Sequence, residues 1–289
     1  MPDIATAFTV RPLSAALGAE ITGIDLSQPV DDDTFAELRR IFHECQVIVF
    51  RDQKLSPEKQ IAFSRRFGDL EIHISTEYLL PGHPEILVLS NRKADGRHIG
   101  LVEAGSDWHS DLSYIAQPSL GSLLHALEVP VDGGDTEWAD MYAAYETLPD
   151  DIKRRIDGLK GIHTFDRRRN PRVRIPNQHK GNARTYDRSP DDAIHPLVRV
   201  HPATGRKALF VSPRFTIAID GMPDEEAQPL LDILFAHQIK REFIYHHKWR
   251  LGDLLFWDNR CLIHRACGGI RPPEIRHMHR TTVAGDVPF

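Results

Sequence analysis

Two histidines and one aspartate are the side chains with the clearest capacity for chemistry. His109 and Asp111 stand two apart in DWHSDLSY, which we predict to be a strand, and residues two apart on a strand project from one face. His264 lies in LLFWDNRCLIHRA, where two apolar runs joined by residues 258–260 predict a hairpin that returns the chain to the sheet. Two imidazoles and one carboxylate on one face suit iron(II) and leave coordination positions open, although zinc also accepts these ligands.

The pattern of a histidine two residues before a carboxylate occurs a second time, at His83-Pro84-Glu85. It directly follows Pro81-Gly82, so we place this pair in a turn, where convergence on a metal would be accidental.

Two arginines near the end of the chain predict anion binding. Arg276 and Arg280 stand four apart in the predicted strand 275–282, hence on one face, with Cα atoms about 13 Å apart. A solvated edge strand is one explanation, and two anion sites inside a barrel are the other, since the planar guanidinium binds carboxylates bidentately. One arginine could hold a diacid co-substrate and the other an anionic substrate. Thr136, in GGDTEWAD, could share the diacid's remote carboxylate with Arg276, although a threonine after Gly-Gly-Asp is also typical of a turn.

The elements that must position these side chains are mostly short strands. Strands around a turn at 16–18, a helix after residues 31–33, the buried strand QVIVFRD and the helix PEKQIAFSRRFG are predicted in the first part of the chain. Beyond residue 80, short strands are interrupted by predicted helices at 143–159 and 224–237. Many short strands without strand–helix alternation favour a β-sandwich or barrel over a parallel α/β sheet.

Residues 163–192 differ from the rest, because they lack apolar periodicity and carry eight basic residues between Arg167 and Arg188. We interpret this segment either as a solvated surface loop or oligomer contact, or as a mobile lid or insertion that closes over an anionic ligand.

Composition excludes several classes of function. The chain has 289 residues and a formal net charge of −5, so it lacks the basic field that nucleic-acid binding needs. No apolar run reaches the roughly 18–20 residues that cross a bilayer, and the N-terminus does not resemble a signal peptide. Three scattered cysteines do not form a disulfide framework. We therefore expect a cytoplasmic protein with no membrane or nucleic-acid partner.

Several motifs in the same order resemble the taurine dioxygenase/2,4-dichlorophenoxyacetate dioxygenase family of 2-oxoglutarate-dependent oxygenases. They are LGAEITGIDL, QIAFSRRFGDLE, WHSDLSY, GGDTEWADMYAAYETL, LLFWDNRCLIHRA and RHMHRTTVAGDVP. The resemblance covers nearly the whole chain. It implies a mainly β fold with flanking helices, built as one domain (residues 1–289) on a double-stranded β-helix, or jelly-roll, core of the cupin-like kind. It also implies a homo-oligomer, a dimer or a tetramer.

The same resemblance implies roles for individual residues. Iron(II) would be held by His109, Asp111 and His264, and 2-oxoglutarate, used with O₂, by Arg276 and Thr136. Arg280 would bind the acid group of the substrate, and His73, in LEIHIST, matches a histidine that sulfonate-using relatives place against the substrate anion.

The resemblance is closer to the phenoxyalkanoate branch of the family, because the C-terminal third and GGDTEWADMYAAYETL are more similar to that branch. The aromatic and the amide that sulfonate-using relatives carry near the substrate are Thr76 and Gly105 here. We therefore expect hydroxylation of a phenoxyalkanoate-like carboxylate with succinate and CO₂ as co-products and possible ether cleavage. A taurine or alkylsulfonate dioxygenase, a divalent-metal hydrolase or isomerase on a cupin-like barrel, and a non-catalytic ligand-binding barrel are the alternatives.

Overall fold

The described part of the chain is mainly β, with one eight-stranded sheet and four smaller sheets. The computed structural model describes residues 8–102, 105–166, 170 and 192–289. In chain order its strands are β1 Thr9–Pro12, β2 Ala19–Thr22, β3 Val47–Phe50, β4 Leu79–Leu80, β5 His83–Ser90, β6 Lys93–Ala94, β7 Arg97–His98, β8 Gly121–Glu128, β9 Thr136–Asp140, β10 Lys160–His163, β11 Ala193–Pro196, β12 Val198–Val200, β13 Lys207–Leu209, β14 Thr216–Ile219, β15 Ile244–His247, β16 Leu254–Asp258, β17 Leu262–Ala266 and β18 His277–Val283. The larger sheet has the order β1-β2-β3-β16-β8-β18-β5-β4, and the sheet β15-β9-β17 lies against it.

The larger sheet is buried on both faces, which explains why its central strands are continuous apolar runs. In β3, Val47 and Val49 face one core and Ile48 and Phe50 face the other. The first core lies between the two sheets and includes Trp138. The second core lies between the larger sheet and two helices, α1 Asp32–Cys45 and α2 Pro57–Arg65.

The helices confirm most of the predicted helical segments. Helix α1 begins at its N-cap Asp31, whose side chain accepts a hydrogen bond from the Thr34 amide. The predicted helix over 143–159 is wrong in its continuity, since two helices occupy this region, α3 Met141–Glu146 and α4 Asp150–Ile156. Pro149 precedes α4, where a proline cannot continue the preceding helix. Helix α5 Asp224–Gln238 matches its prediction, and no described helix is both long and apolar enough to cross a membrane.

Two predictions of local structure around the metal ligands are wrong. DWHSDLSY is not a strand: His109 makes a single antiparallel bridge to His264, and residues 111–114 form a turn. LLFWDNRCLIHRA is not a hairpin either, because β16 pairs with β3 and β8 whereas β17 pairs with β9. The connection at residues 259–261 therefore carries the chain from one sheet to the other.

Two smaller differences concern strand ends. His83 begins β5 rather than lying in a turn, and β18 begins at His277, so Arg276 directly precedes the strand that was predicted to contain it. The segment 163–192 joins β10 to β11, which pair as antiparallel neighbours. The lid prediction falls on residues 167–169 and 171–191, which lie outside the described residues.

Burial of histidines makes the fold sensitive to acid. Burial lowers the pKa of His43, His195 and His279 to about 4, and it holds the pKa of His163 well below its usual value. The unfolded chain, with histidine pKa values near ~6.5, then binds more protons than the folded chain, so stability is lost as the pH falls from about 6.5 towards 4. We expect a Tm on the order of 10 °C lower at pH 5.5 than at pH 7.5. Calorimetry of the chelator-treated protein at constant ionic strength checks this, and an equal or higher Tm at pH 5.5 contradicts it.

Candidate functional site

The three predicted metal ligands converge although they come from separate parts of the chain. His109 Nε2 lies 3.6 Å and His264 Nε2 lies 3.9 Å from Asp111 Oδ1, and all three side chains are buried. The donor atoms lie within 4.8 Å of one another. The two imidazole ring centroids are 4.2 Å apart.

Backbone hydrogen bonds place the two histidines side by side. The His109 amide donates to the His264 carbonyl (3.0 Å), and the His264 amide donates to the His109 carbonyl (2.7 Å). Strand β17 in turn pairs with β9, so His264 is anchored to the sheet β15-β9-β17. This pair of hydrogen bonds thus holds His109, which lies outside any strand, against the edge of that sheet.

The ring of His109 is fixed on two further sides. Its Nδ1 lies 2.8 Å from the Asp107 carbonyl, and a proton donated there leaves Nε2 unprotonated and able to bind a metal. Gly105 lies against the ring with φ +75°, and a Cβ at this position would stand 2.5 Å from His109 Cε1. Only glycine therefore fits at 105 without displacing the ring.

The electrostatics favour a charged Asp111 carboxylate beside a neutral His264 imidazole. Burial alone would raise the pKa of the Asp111 carboxyl, but Arg280, His264 and His109 around it hold that pKa well below its usual range. Burial, followed by the neighbouring His109, lowers the pKa of His264 to about 3. Arg280 Nη1 lies 3.5 Å from Asp111 Oδ1, while Asp111 Oδ2 accepts a 2.8 Å hydrogen bond from Ser122 Oγ. Oδ1 is consequently the oxygen that points towards both histidines.

This donor set fits a divalent metal that keeps open coordination positions. Two imidazole nitrogens and one ionised carboxylate are available, and both histidines line a cavity of about 110 Å³. Non-haem iron(II) oxygenases use this combination of ligands with free positions for other molecules.

The same cavity reaches two of the residues predicted to bind a diacid. Arg276 and Thr136 both line it. Burial lowers the pKa of Arg276 to about 10, and in the described part of the chain its guanidinium makes no ion pair, only a 3.1 Å hydrogen bond from Nε to the Gly134 carbonyl. A partly buried guanidinium without a carboxylate partner is costly, so an anionic ligand would complete it.

Trp249 organises this end of the cavity. Its Nε1 donates a 3.0 Å hydrogen bond to Thr136 Oγ1, so the hydroxyl proton of Thr136 remains available for an acceptor. The Arg276 guanidinium carbon lies 5.8 Å from the centroid of the Trp249 ring. Sequence reasoning missed Trp249, because nothing in EFIYHHKW separates it from the core aromatics.

Arg280 and His73 are the two residues predicted to bind the substrate anion. Arg280 lines the cavity and contacts Asp111, whereas His73 is not among the lining residues. Burial and then the nearby Arg280 lower the pKa of His73 to about 4, and its Nδ1 accepts a hydrogen bond from the Ser75 amide. The structure thus places Arg280 against Asp111. His73 lies close to both, on the segment between α2 and β4.

A second residue that sequence reasoning missed is Ser122. It interrupts the apolar run GSLLHALEV of β8 and is fully buried, and that polar residue in an apolar strand was the available signal.

Comparison with known proteins gives relatives over nearly the whole chain. The family model described as "Taurine catabolism dioxygenase TauD, TfdA family" matches residues 9–282. The 2,4-dichlorophenoxyacetate dioxygenase of Cupriavidus pinatubonensis is 36% identical over 265 residues, 88% of this chain and 90% of the relative. The (S)-phenoxypropionate/alpha-ketoglutarate-dioxygenase of Sphingobium herbicidovorans is 34% identical over 290 residues, 97% and 96% of the two chains.

Solved structures give the same result for the fold. A taurine dioxygenase from Burkholderia xenovorans superposes with a TM-score of 0.82 at 34% identity, covering 98% of this chain and 91% of the other. AAD-2, in complex with Mn(II) and N-oxalylglycine, superposes with a TM-score of 0.78 at 31% identity, covering 97% and 98%. The predicted jelly-roll core with flanking helices is confirmed.

Proposed function

The chain belongs to the TauD, TfdA family and is a 2-oxoglutarate-dependent dioxygenase, and we propose that it hydroxylates a small carboxylate substrate that carries an aromatic ring. One observation carries the proposal: a single cavity joins the two histidines of the candidate metal site to Arg276 and Arg280. A metal-binding hydrolase has no need of two arginines in the cavity that its ligand histidines line.

In our proposal iron(II) is held by His109 Nε2, His264 Nε2 and Asp111 Oδ1. Bound iron(II), together with 2-oxoglutarate and O₂, supplies the oxidising power that inserts one oxygen atom into a substrate C–H bond and leaves succinate and CO₂. The chain contributes position and charge. Asp111 brings the negative charge that favours a cation, and Ser122 turns its second oxygen away from the histidines.

We assign the remote carboxylate of 2-oxoglutarate to Arg276 and Thr136. The guanidinium supplies two parallel N–H donors, and the Thr136 hydroxyl, already accepting from Trp249, supplies a third. The Asn91 side chain accepts a 2.9 Å hydrogen bond from the Arg276 amide and so holds the backbone of Arg276 in place.

Replacing Trp249 with phenylalanine tests the role of its indole N–H. The substitution keeps an aromatic ring beside Arg276 but removes the hydrogen bond to Thr136, whose hydroxyl is then free to turn away from the ligand. We expect the KM for 2-oxoglutarate to rise about 3- to 10-fold, the effect of one neutral hydrogen bond. Steady-state succinate release measures it. An unchanged KM would mean that Thr136 does not depend on Trp249.

The substrate assignment rests on charge and on aromatic side chains near the metal site. Arg280 provides a cation on the wall of the cavity. The Tyr114 ring lies 4.8 Å from that of Phe165 and 4.9 Å from that of Phe215, and Phe215 lies 5.8 Å from the His109 ring. An aromatic ring with a carboxylate suits such surroundings. If hydroxylation falls on a carbon that bears an ether oxygen, the product is a hemiacetal, which breaks its C–O bond.

The sulfonate alternative receives less support from the residues around this site. Thr76 is exposed in a short 3-10 helix. The residue at the position of the amide is Gly105, which has a left-handed conformation, and a side chain there would collide with the His109 ring. Succinate release screened across phenoxyalkanoates, alkylsulfonates and aliphatic acids would identify the preferred class. Cytoplasmic location and assembly as a homodimer or homotetramer stay predictions.

An anaerobic titration tests the iron and 2-oxoglutarate assignment directly. We expect a weak visible charge-transfer absorption band when iron(II) and 2-oxoglutarate are both present, and none with either alone. A folded protein that gives no band with both would contradict the assignment. It would then favour a divalent-metal hydrolase or isomerase, or a non-catalytic ligand-binding barrel.

Replacing Arg280 with alanine separates substrate binding from co-substrate binding. We expect substrate-coupled succinate release to fall by at least about 30-fold, because a partly buried ionic contact to the substrate is lost. The iron–2-oxoglutarate band should remain. Arg40→Ala, on the exposed surface of α1, is the matched control and should behave like the unchanged protein. Loss of the band in Arg280→Ala would reassign Arg280 to the co-substrate.

A further inference from the structure

We propose that Asn259 is a positioning residue that holds the carboxylate ligand Asp111 in place for the metal. This inference rests on the metal site proposed above and concerns a residue that contacts neither the predicted co-substrate nor the predicted substrate. Asp111 lies in a turn rather than in a strand, so no sheet pairing fixes its backbone.

The side-chain amide of Asn259 takes the place of that pairing. Its Oδ1 lies 3.4 Å from the Asp111 amide nitrogen, and its Nδ2 donates a 2.9 Å hydrogen bond to Ser119 Oγ. Ser119 Oγ in turn donates to the Asp111 carbonyl at 3.1 Å. Both backbone polar groups of Asp111 are thus engaged by one amide, directly on one side and through a hydroxyl on the other.

The direction of the hydrogen bonds from Asn259 through Ser119 to Asp111 requires an amide at position 259. Because Nδ2 donates to Ser119, the hydroxyl proton of Ser119 must point elsewhere, and the Asp111 carbonyl receives it. Trp257 Nε1 also donates to Asn259 Oδ1 at 2.9 Å, which fixes the orientation of the amide group. A carboxylate at 259 would accept from Ser119 and reverse this direction.

The backbone of Asn259 makes two contacts to the same segments. Its carbonyl accepts a 2.7 Å hydrogen bond from Ser110 Oγ, and its amide donates to the Leu120 carbonyl at 2.9 Å. Asn259 is only 1% exposed and lies where the chain passes from β16 to β17, the strand that carries His264. One buried residue therefore links the segment of Asp111 to the strand of the third ligand.

The surroundings of metal ligands are known to set metal affinity, typically by 10- to 100-fold per residue. We expect Asn259→Ala to raise the dissociation constant for Mn(II) by about 10- to 100-fold. Mn(II) serves as the probe because, unlike iron(II), it is not readily oxidised by O₂. Electron paramagnetic resonance measures the concentration of unbound Mn(II). Ser119→Ala should raise the same constant by about 3- to 10-fold, as expected for one hydrogen bond.

A double variant tests whether the two residues act together. If Asn259 acts partly through Ser119, the two substitutions remove part of the same interaction. The Mn(II) dissociation constant of the double variant should then rise by a factor measurably smaller than the product of the two single-variant factors. Strict additivity would remove the relay through Ser119 and contradict that part of the proposal.

Gln53→Ala is the matched control for a merely structural role. Gln53 is a buried amide that also joins separate segments, with hydrogen bonds from the Leu26 amide and to the Ile24 carbonyl, and it does not contact the metal site. Both amide substitutions should lower the Tm, but only Asn259→Ala should weaken Mn(II) binding. If Asn259→Ala lowers the Tm and leaves the Mn(II) constant within twofold, Asn259 has no positioning role.

Two outcomes separate this inference from the proposed function. If the unchanged protein fails to bind Mn(II), the metal site itself is wrong. If it binds Mn(II) and the Asn259 variant binds equally well, only the positioning role fails. Should Asn259→Ala not fold, Ser119→Ala decides, and an unchanged Mn(II) constant in that variant overturns the proposal.

Discussion

Asp111→Ala is expected to reduce turnover to background and to weaken Mn(II) binding by more than about 100-fold, beyond the range seen when residues behind a ligand are changed. Asp111 supplies the only negative charge among the three candidate ligands. Without it, only the two imidazoles remain as ligands, and the positive charge of Arg280, which lies 3.5 Å from the Asp111 carboxylate in the unchanged protein, would repel the metal ion without compensation. Metal affinity and succinate release measure the two effects separately.

The same substitution also leaves Arg280 and Ser122 without their shared partner. Removing one partner of a buried ion pair is costly, so a lower Tm is expected in the metal-free protein. Circular dichroism must therefore show that the variant is folded before its metal affinity is interpreted. Asp220→Ala, an exposed aspartate after β14, is the control and should bind Mn(II) normally. A folded Asp111→Ala protein with near-normal Mn(II) affinity would exclude this site.

Arg276→Gln is expected to raise the dissociation constant for 2-oxoglutarate by about 30- to 1000-fold, the effect of removing a buried charged contact. Glutamine keeps much of the volume and one amide donor but no charge. Mn(II) affinity should not change, because Arg276 is not one of the candidate ligands. An anaerobic titration followed through the charge-transfer band gives the constant.

A comparison of 2-oxo acids makes this prediction specific for the remote carboxylate. The unchanged protein should bind 2-oxoglutarate far more tightly than 2-oxobutyrate, which lacks that group, and Arg276→Gln should lose most of the difference. Arg280→Ala should keep it. If Arg280→Ala loses the preference instead, the assignments of the two arginines must be exchanged.

The local patterns of the sequence predicted the elements well where one face or both are apolar. Phe35, Leu38, Ile41 and Phe42 recur at helical spacing and are all buried in α1. VIVF predicted a buried strand, and β3 is buried at every position. These predictions succeeded because periodicity records which faces must leave water, whatever the topology.

The three candidate metal ligands do converge, but not through the strand and the hairpin that the sequence patterns predicted. His109 and Asp111 converge across the start of a turn rather than along a strand, and His264 arrives from a strand in the other sheet rather than from a hairpin. DWHSDLSY resembles a strand by residue type, but Asp111 and Leu112 turn the chain, and Leu112 adopts φ +57°. A pattern of residue types does not encode such a turn.

By itself, the sequence predicted which side chains are available for chemistry: two histidines and a carboxylate as candidate metal ligands, and Arg276 and Arg280 as candidates for binding two anions. Residue type decides this, because ligand chemistry and charge belong to single side chains. Only the tertiary structure shows that Asn259 and Ser122 form hydrogen bonds with Asp111, and that Trp249 forms one with Thr136. These hydrogen bonds join residues 11 to 148 positions apart, and such contacts follow from sheet topology rather than from local spacing.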